Sequence, residues 1–234
     1  MTKIILIGII TILGLAIIIE IIARIYIYQG KKMNVSATCY DALMQMLSLK
    51  RSELEAEKEK VQFIEAKKYY YHPLQKIIAL NDYASTTIYA HLASLHEGGH
   101  YRSASENKQK EKMIQFSTII IAFNRLIVIP YFIIITYMID FENVPSTLFI
   151  NVSTAFIIFF IFATILRFIF GLPEEYRASQ IALEYIGENY DQKVLKFSKS
   201  SYRTFFLQYF FHALLFGVSI PFIYCIIFLI GSLS

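Results

Sequence analysis

The stretch Tyr83-Ala84-Ser85-Thr86-Thr87-Ile88-Tyr89-Ala90-His91-Leu92-Ala93-Ser94-Leu95-His96-Glu97-Gly98-Gly99-His100 is a helical pattern that lies outside every apolar run of the chain. Ile88, Leu92 and Leu95 recur at near-helical spacing, so one face of it seeks a core. Asn81 or Asp82 offers an N-cap to a helix running through His100. Gly98 and Gly99 are each unfavourable inside a helix by about 1 kcal/mol relative to Ala. Either a close backbone approach, by substrate or another helix, keeps them there, or the helix ends at them and leaves His100 in a loop.

Around this stretch the chain is built for lipid. Of its 234 residues 56% are hydrophobic and only 17% charged, and its mean hydropathy is +0.50. A soluble domain is nearer 45–50% apolar and about 25% charged. Four apolar runs clear the roughly 20 residues a spanning helix needs: Ile4–Tyr28, Ser117–Ile139, Thr147–Phe170 and Phe205–Leu233. The first has no small-residue cleavage site after it and reads as an uncleaved anchor. Glu20 and Arg24 within it are spaced to pair on one face. The last run is long enough to tilt, or to break at Pro221. The expected organisation is an anchor (1–28), a polar block (29–116), two spans (117–170), a second polar block (171–203) and a last span (204–234). Cys39 and Cys225 lie far apart and offer neither a disulfide framework nor a cysteine metal site.

Charge orients this arrangement. Block 29–116 holds 13 Lys and Arg and block 171–203 holds five, whereas the link Asp140–Ser146 holds none. The positive-inside rule makes both blocks cytoplasmic and both termini outward, in the cell membrane. Two intervening spans return the chain to the same side, so the blocks can meet. Arg125 and Arg167 inside or near the runs read as facing the bundle or snorkelling, against a substrate or gating contact.

Within the first block, Asp41–Lys68 is a charge-laced, helix-rich segment. Val61–Ile64 and Lys76–Leu80 are short and β-prone, with Lys67–Pro73 read as the turn between them. No internal repeat and no nucleic-acid-binding signature is visible.

His96 and His100, at i and i+4, project from one helix face about one turn apart, which suits a single tetrahedral zinc ion per chain. Glu97 lies beside the open position. From there it can take a proton from water and return it to a leaving amine, as a general base. A third ligand must come from elsewhere, and block 171–203 offers Glu174, Glu175, Glu184, Glu188 and Asp191. Pro173-Glu174-Glu175 has the look of a helix N-terminus, where both glutamates would serve the helix dipole. Glu175 shares a stripe with Ala178, Ser179 and Ala182, small residues that allow close packing, and Glu174 points about 100° away. The pattern favours Glu175. His72, His91 and His212 read as structural, with His91 and Tyr176 the only guesses for an oxyanion partner.

These residues in this order resemble the YugP-like neutral zinc metallopeptidases of bacterial membranes. The likeness is carried by the anchor helix, the turn Tyr71-His72-Pro73 with the strand Ile77–Leu80, the segment His96–His100, and Leu172-Pro173-Glu174-Glu175-Tyr176-Arg177-Ala178-Ser179. It implies zinc held by His96, His100 and Glu175, with Glu97 as catalytic base. The Glu-x-x-Ala element is more distantly similar to that of HtpX-type membrane gluzincins, which carry Asp where this chain has Ser179. Gly98 stands where the family usually has a larger residue.

The expected fold class is thus mainly α: a polytopic membrane protein of about four transmembrane helices with a small α+β, zincin-like polar region. The expected function is a membrane-bound zinc endopeptidase, with a peptide or protein substrate taken as an added strand along the edge of Lys76–Leu80. The alternative is a non-catalytic multi-pass protein, an inactive relative, scaffold or small transporter, whose histidines merely pack.

Overall fold

The N-terminal apolar run forms one unbroken helix, α1 (Thr2–Lys32). Glu20 and Arg24 pair on it at 2.9 Å, as their spacing implies. Lys31 and Lys32 close its last turn, where the helix dipole favours positive charge. The computed structural model describes residues 2–48, 61–106, 109, 111–120, 122–123, 126, 130, 133 and 146–231. Arg125, the link 140–145 and most of the second apolar run therefore lie outside the described residues, as does 49–60 of the charge-laced segment.

After α1 the chain turns back on itself. The Ile88 N–H donates to the Met33 carbonyl at 2.8 Å and the Val35 N–H to the Thr86 carbonyl at 3.0 Å. Helix α2 (Cys39–Ser48) follows. Thr38 and Asp41 cap its start reciprocally: the Asp41 N–H donates to Thr38 Oγ1 at 3.1 Å and the Thr38 hydroxyl to Asp41 Oδ2 at 2.7 Å.

Strands β1 (Gln62–Glu65), β2 (Tyr70–His72) and β3 (Ile77–Leu80) form a sheet of order β1-β3-β2. Two expectations are corrected here. Tyr70–His72 lies within the expected turn but pairs with β3 antiparallel, Tyr71 opposite Ile78. And β3 has no free edge, because β1 pairs parallel along its other side. Ile78, Ala79 and Leu80 are fully buried, as suits a central strand.

Helix α3 (Ile88–Ser105) begins at Thr87, later than Asn81 or Asp82. Thr87 is extended and its hydroxyl accepts from the Ala90 N–H at 3.3 Å, while the Asp82 carboxylate accepts from the Ala84 N–H in a turn. The lead-in pairs with residues 33–35, and this tertiary pairing overrides the local cap signal. Beyond Gly98 and Gly99 the helix runs on to Ser105, so His100 is helical.

Helix α4 (Ser146–Leu166) continues through a π-turn (Arg167–Gly171) into α5 (Leu172–Asn189). Arg167 lies over the Tyr209 ring, 5.8 Å from its centroid, a contact with helix α6 (Gln192–Gly231), which is unbroken at Pro221. The core gathers Leu43 and Met46 of α2, Leu80 of β3, Leu95 of α3, Ile181 and Ile186 of α5 and Tyr202 of α6. The described residues are mainly helical, with one small sheet. Among the described residues two helical stretches are long and apolar enough to cross a membrane, Ile10–Lys32 and Thr154–Asn189. The expected count of four spans is not supported among the described residues, which cover the second run and the side chains of the fourth only in part.

Candidate metal centre

The site forms where α3 lies against α5. Gly99 permits that approach, since a Cβ there would stand 2.4 Å from the Ala178 carbonyl oxygen. At Gly98 a Cβ would meet Leu43 Cδ1 at 2.3 Å and Met46 Cε at 2.6 Å. The glycines thus admit a second helix on each side, one of the two reasons their presence suggested. α5 then delivers Glu175 to the histidines.

His96 Nε2 stands 3.1 Å from Glu175 Oε2 and 3.1 Å from His100 Nε2. The third separation, His100 Nε2 to Glu175 Oε2, is 3.7 Å. Ligand atoms about 2.0–2.1 Å from a tetrahedral zinc lie roughly 3.3 Å apart, so the three observed separations bracket what the ion needs. The electrostatics point the same way. Burial alone pulls the His100 pKa down, but the Glu175 carboxylate, helped by Glu174 and Glu97, outweighs it and holds the imidazole well above its usual range. The pocket favours positive charge between these side chains, which a divalent cation supplies.

The outer nitrogens of both histidines have neighbours. His96 Nδ1 lies 3.2 Å from Ser179 Oγ, and His100 Nδ1 lies 3.5 Å from Glu174 Oε1. The His96 ring also stacks on Tyr202 at 5.8 Å, and the Tyr202 hydroxyl donates to the Leu92 carbonyl at 2.7 Å. Sequence reasoning missed Tyr202 altogether, and nothing local marks it. Ser103, whose hydroxyl donates to Glu174 Oε2 at 2.9 Å, was legible in principle, being three residues past His100 on the same helix face.

A cavity of about 720 Å³ borders the cluster, of the size that admits several side chains. His96, Glu97, Glu175 and Ser179 line it beside Ile27 and Lys31 of α1, Lys67, Lys68 and Tyr69 before β2, and Phe205 and Phe206 of α6. His91 takes no part. It is buried between Tyr190, at 2.6 Å, and the Ala37 carbonyl, at 3.1 Å. Tyr176 is largely exposed and packs on Phe206, so neither guess for an oxyanion partner reaches the centre. Glu184, Glu188 and Asp191 are outside the cluster; Asp191 caps the start of α6 by accepting from the Val194 N–H.

The fold and site together define a helical protein with a two-histidine, one-carboxylate centre able to hold a metal ion. The family comparison makes this particular: the model of the family described as "Putative neutral zinc metallopeptidase" matches residues 3–205, and the chain belongs to that family. No curated protein and no solved structure matches it.

Proposed function

We propose that the protein is a membrane-bound zinc-dependent endopeptidase. The observation that carries this reading is the convergence of His96, His100 and Glu175 on one point, with Glu97 on the wall of the adjoining cavity. Zinc held there supplies Lewis acidity, polarising a scissile carbonyl and making water a better nucleophile at neutral pH. Glu97 takes the proton from the attacking water and passes it to the departing amine. Residues lining the cavity hold the peptide against this pair.

Attachment to a membrane is supported by the apolar side chains that the protein leaves uncovered. Ile10, Ile17, Ile18, Ile21 and Ile25 of α1 and Ile158, Phe162, Ile165 and Ile169 of the α4 region are exposed, a surface that lipid would cover. Glu175, of the second polar block, meets the histidines of the first, in keeping with both blocks lying on one side. The excess of Lys and Arg assigns that side to the cytoplasm and the termini to the outside. The cavity is walled by α1 and α6, so the substrate is a peptide or protein segment at the membrane face. Of the two edge strands, β2 is the one whose lead-in residues Lys67–Tyr69 line the cavity, and an extended substrate would add there.

Metal analysis of the detergent-purified protein tests the reading. One zinc per chain is expected in the wild type and none in His100→Ala. Glu97→Gln should keep the metal and lose peptide cleavage. A wild type that takes up no zinc after supplementation sinks the proposal, and cleavage retained by Glu97→Gln removes the role given to Glu97.

A further inference from the structure

The sequence reads Glu174 as a first-turn dipole partner or the less favoured candidate for third ligand, and the first of these roles calls for no burial. Glu174 is nonetheless buried, with 6% of its surface exposed. Burying a carboxylate is costly unless charged or hydrogen-bonding groups meet it. Ser103 of α3 donates its hydroxyl to Glu174 Oε2 at 2.9 Å. The other oxygen, Oε1, faces His100 Nδ1 at 3.5 Å. Ser103 is itself fully buried.

Consecutive residues on a helix diverge by about 100°, and here that divergence places two carboxylates at the two nitrogens of one ring. Glu175 Oε2 stands on the Nε2 side of His100 and Glu174 Oε1 on its Nδ1 side. The π-turn just before α5 contributes to this. The Leu172 N–H reaches back to the Arg167 carbonyl, one residue further than in an α-helix, and everything after it is rotated accordingly. Glu174 does not line the cavity that Glu97 and Glu175 share, so it acts through His100 rather than on a substrate.

We propose that Glu174, held by Ser103, is a positioning residue for the metal centre: it takes the Nδ1–H of His100 and fixes the tautomer that presents Nε2 to the metal. Histidine ligands that donate their outer N–H to a carboxylate are oriented and made more basic by it. Ser179 gives His96 only a neutral partner at the matching position. The two ligands therefore differ, and His100 is the one held by charge. The inference rests on the zinc-site reading above.

The test is zinc affinity of the metal-stripped, detergent-solubilised protein, measured in competition with a chromophoric chelator, together with the visible spectrum of the Co2+-substituted site. Glu174→Gln should bind zinc about 10- to 100-fold more weakly and shift the Co2+ bands, with the melting temperature of the metal-free protein little changed. Ser103→Ala should weaken zinc several-fold in the same direction. Should Glu174→Gln fail to fold, Ser103→Ala carries the test alone. Wild-type zinc affinity in whichever variant folds, while His100→Ala loses the metal, overturns this inference and leaves the metal-site reading standing. A wild type that binds no zinc overturns both. A purely structural Glu174 would lower the melting temperature without moving the zinc affinity or the Co2+ spectrum, and that result also overturns the proposal.

Discussion

His96 Nε2 and Glu175 Oε2 stand 3.1 Å apart although 79 positions separate them along the chain. Two stretches outside the apolar runs, one on α3 and one on α5, are brought to a single point, and the ring nitrogen of His100 shares it. Glu175→Gln keeps the size and removes the charge. We expect it to weaken zinc by at least about 100-fold, the upper end of what outer-shell changes alone produce. Metal titration of the stripped protein measures this, and an affinity within threefold of wild type would show that Glu175 is not a ligand.

Close approach of α3 to α5 is a second requirement, and it rests on Gly99. Its missing Cβ would stand 2.4 Å from a backbone oxygen of Ala178, which cannot yield without moving α5. Gly99→Ala should therefore destabilise the protein by about 1–3 kcal/mol and weaken zinc, since Glu175 and Ser179 ride on the helix that is displaced. At Gly98 the obstructing atoms are the ends of the Leu43 and Met46 side chains, which can rotate. Gly98→Ala should cost less and leave zinc affinity nearly unchanged. Thermal melts and metal titration of the two variants side by side decide this, and equal effects on zinc would rule out the α5 explanation.

His91 gives a pH dependence whose sign follows from its surroundings. Burial pushes its pKa below the usual histidine range, against a smaller upward pull from the Ala37 carbonyl. The folded state thus holds the ring neutral while the unfolded chain takes up a proton near pH 6.5. The unfolded state binds more protons, so stability rises with pH. The contribution is complete above about pH 6.5 and is lost as pH falls from there towards the lowered folded value. In zinc-saturated protein, wild-type melting temperature should fall between about pH 6.5 and 5 more steeply than that of His91→Gln. Parallel profiles would show that His91 does not titrate with unfolding.

Much of this centre was readable because its physics is local. The spacing of His96 and His100 is one helical turn, and Ala178 and Ser179 mark the face of α5 that can come close. The start of α3 was misread because Asp82 looks like a cap, yet pairing of Met33 and Val35 with the lead-in holds it extended to Thr87. Lys67–Pro73 reads as a turn because it separates two β-prone stretches, and it is pairing with β3 that makes Tyr70–His72 a strand. Glu174 could not be separated from an ordinary first-turn glutamate, since burial by Ser103 and His100 is a property of the packed pair. The span count rests on apolar length, which speaks only of compatibility with lipid, and two of the four runs lie largely outside the described side chains.

Tyr202 lies 110 residues from the carbonyl it holds, that of Leu92, one turn before His96. Its ring stacks on His96 at 5.8 Å and 30°, so hydroxyl and ring can be tested apart. Tyr202→Phe removes the bond to Leu92 and keeps the surface under the imidazole. It should cost about 1 kcal/mol of stability and leave zinc affinity unchanged. Tyr202→Ala also removes the ring and should cost about 3–5 kcal/mol, as deletion of a buried aromatic does, while freeing His96 to tilt and weakening zinc. If the Phe variant loses zinc as strongly as the Ala variant, the hydroxyl rather than the stacked ring is what holds His96 in place.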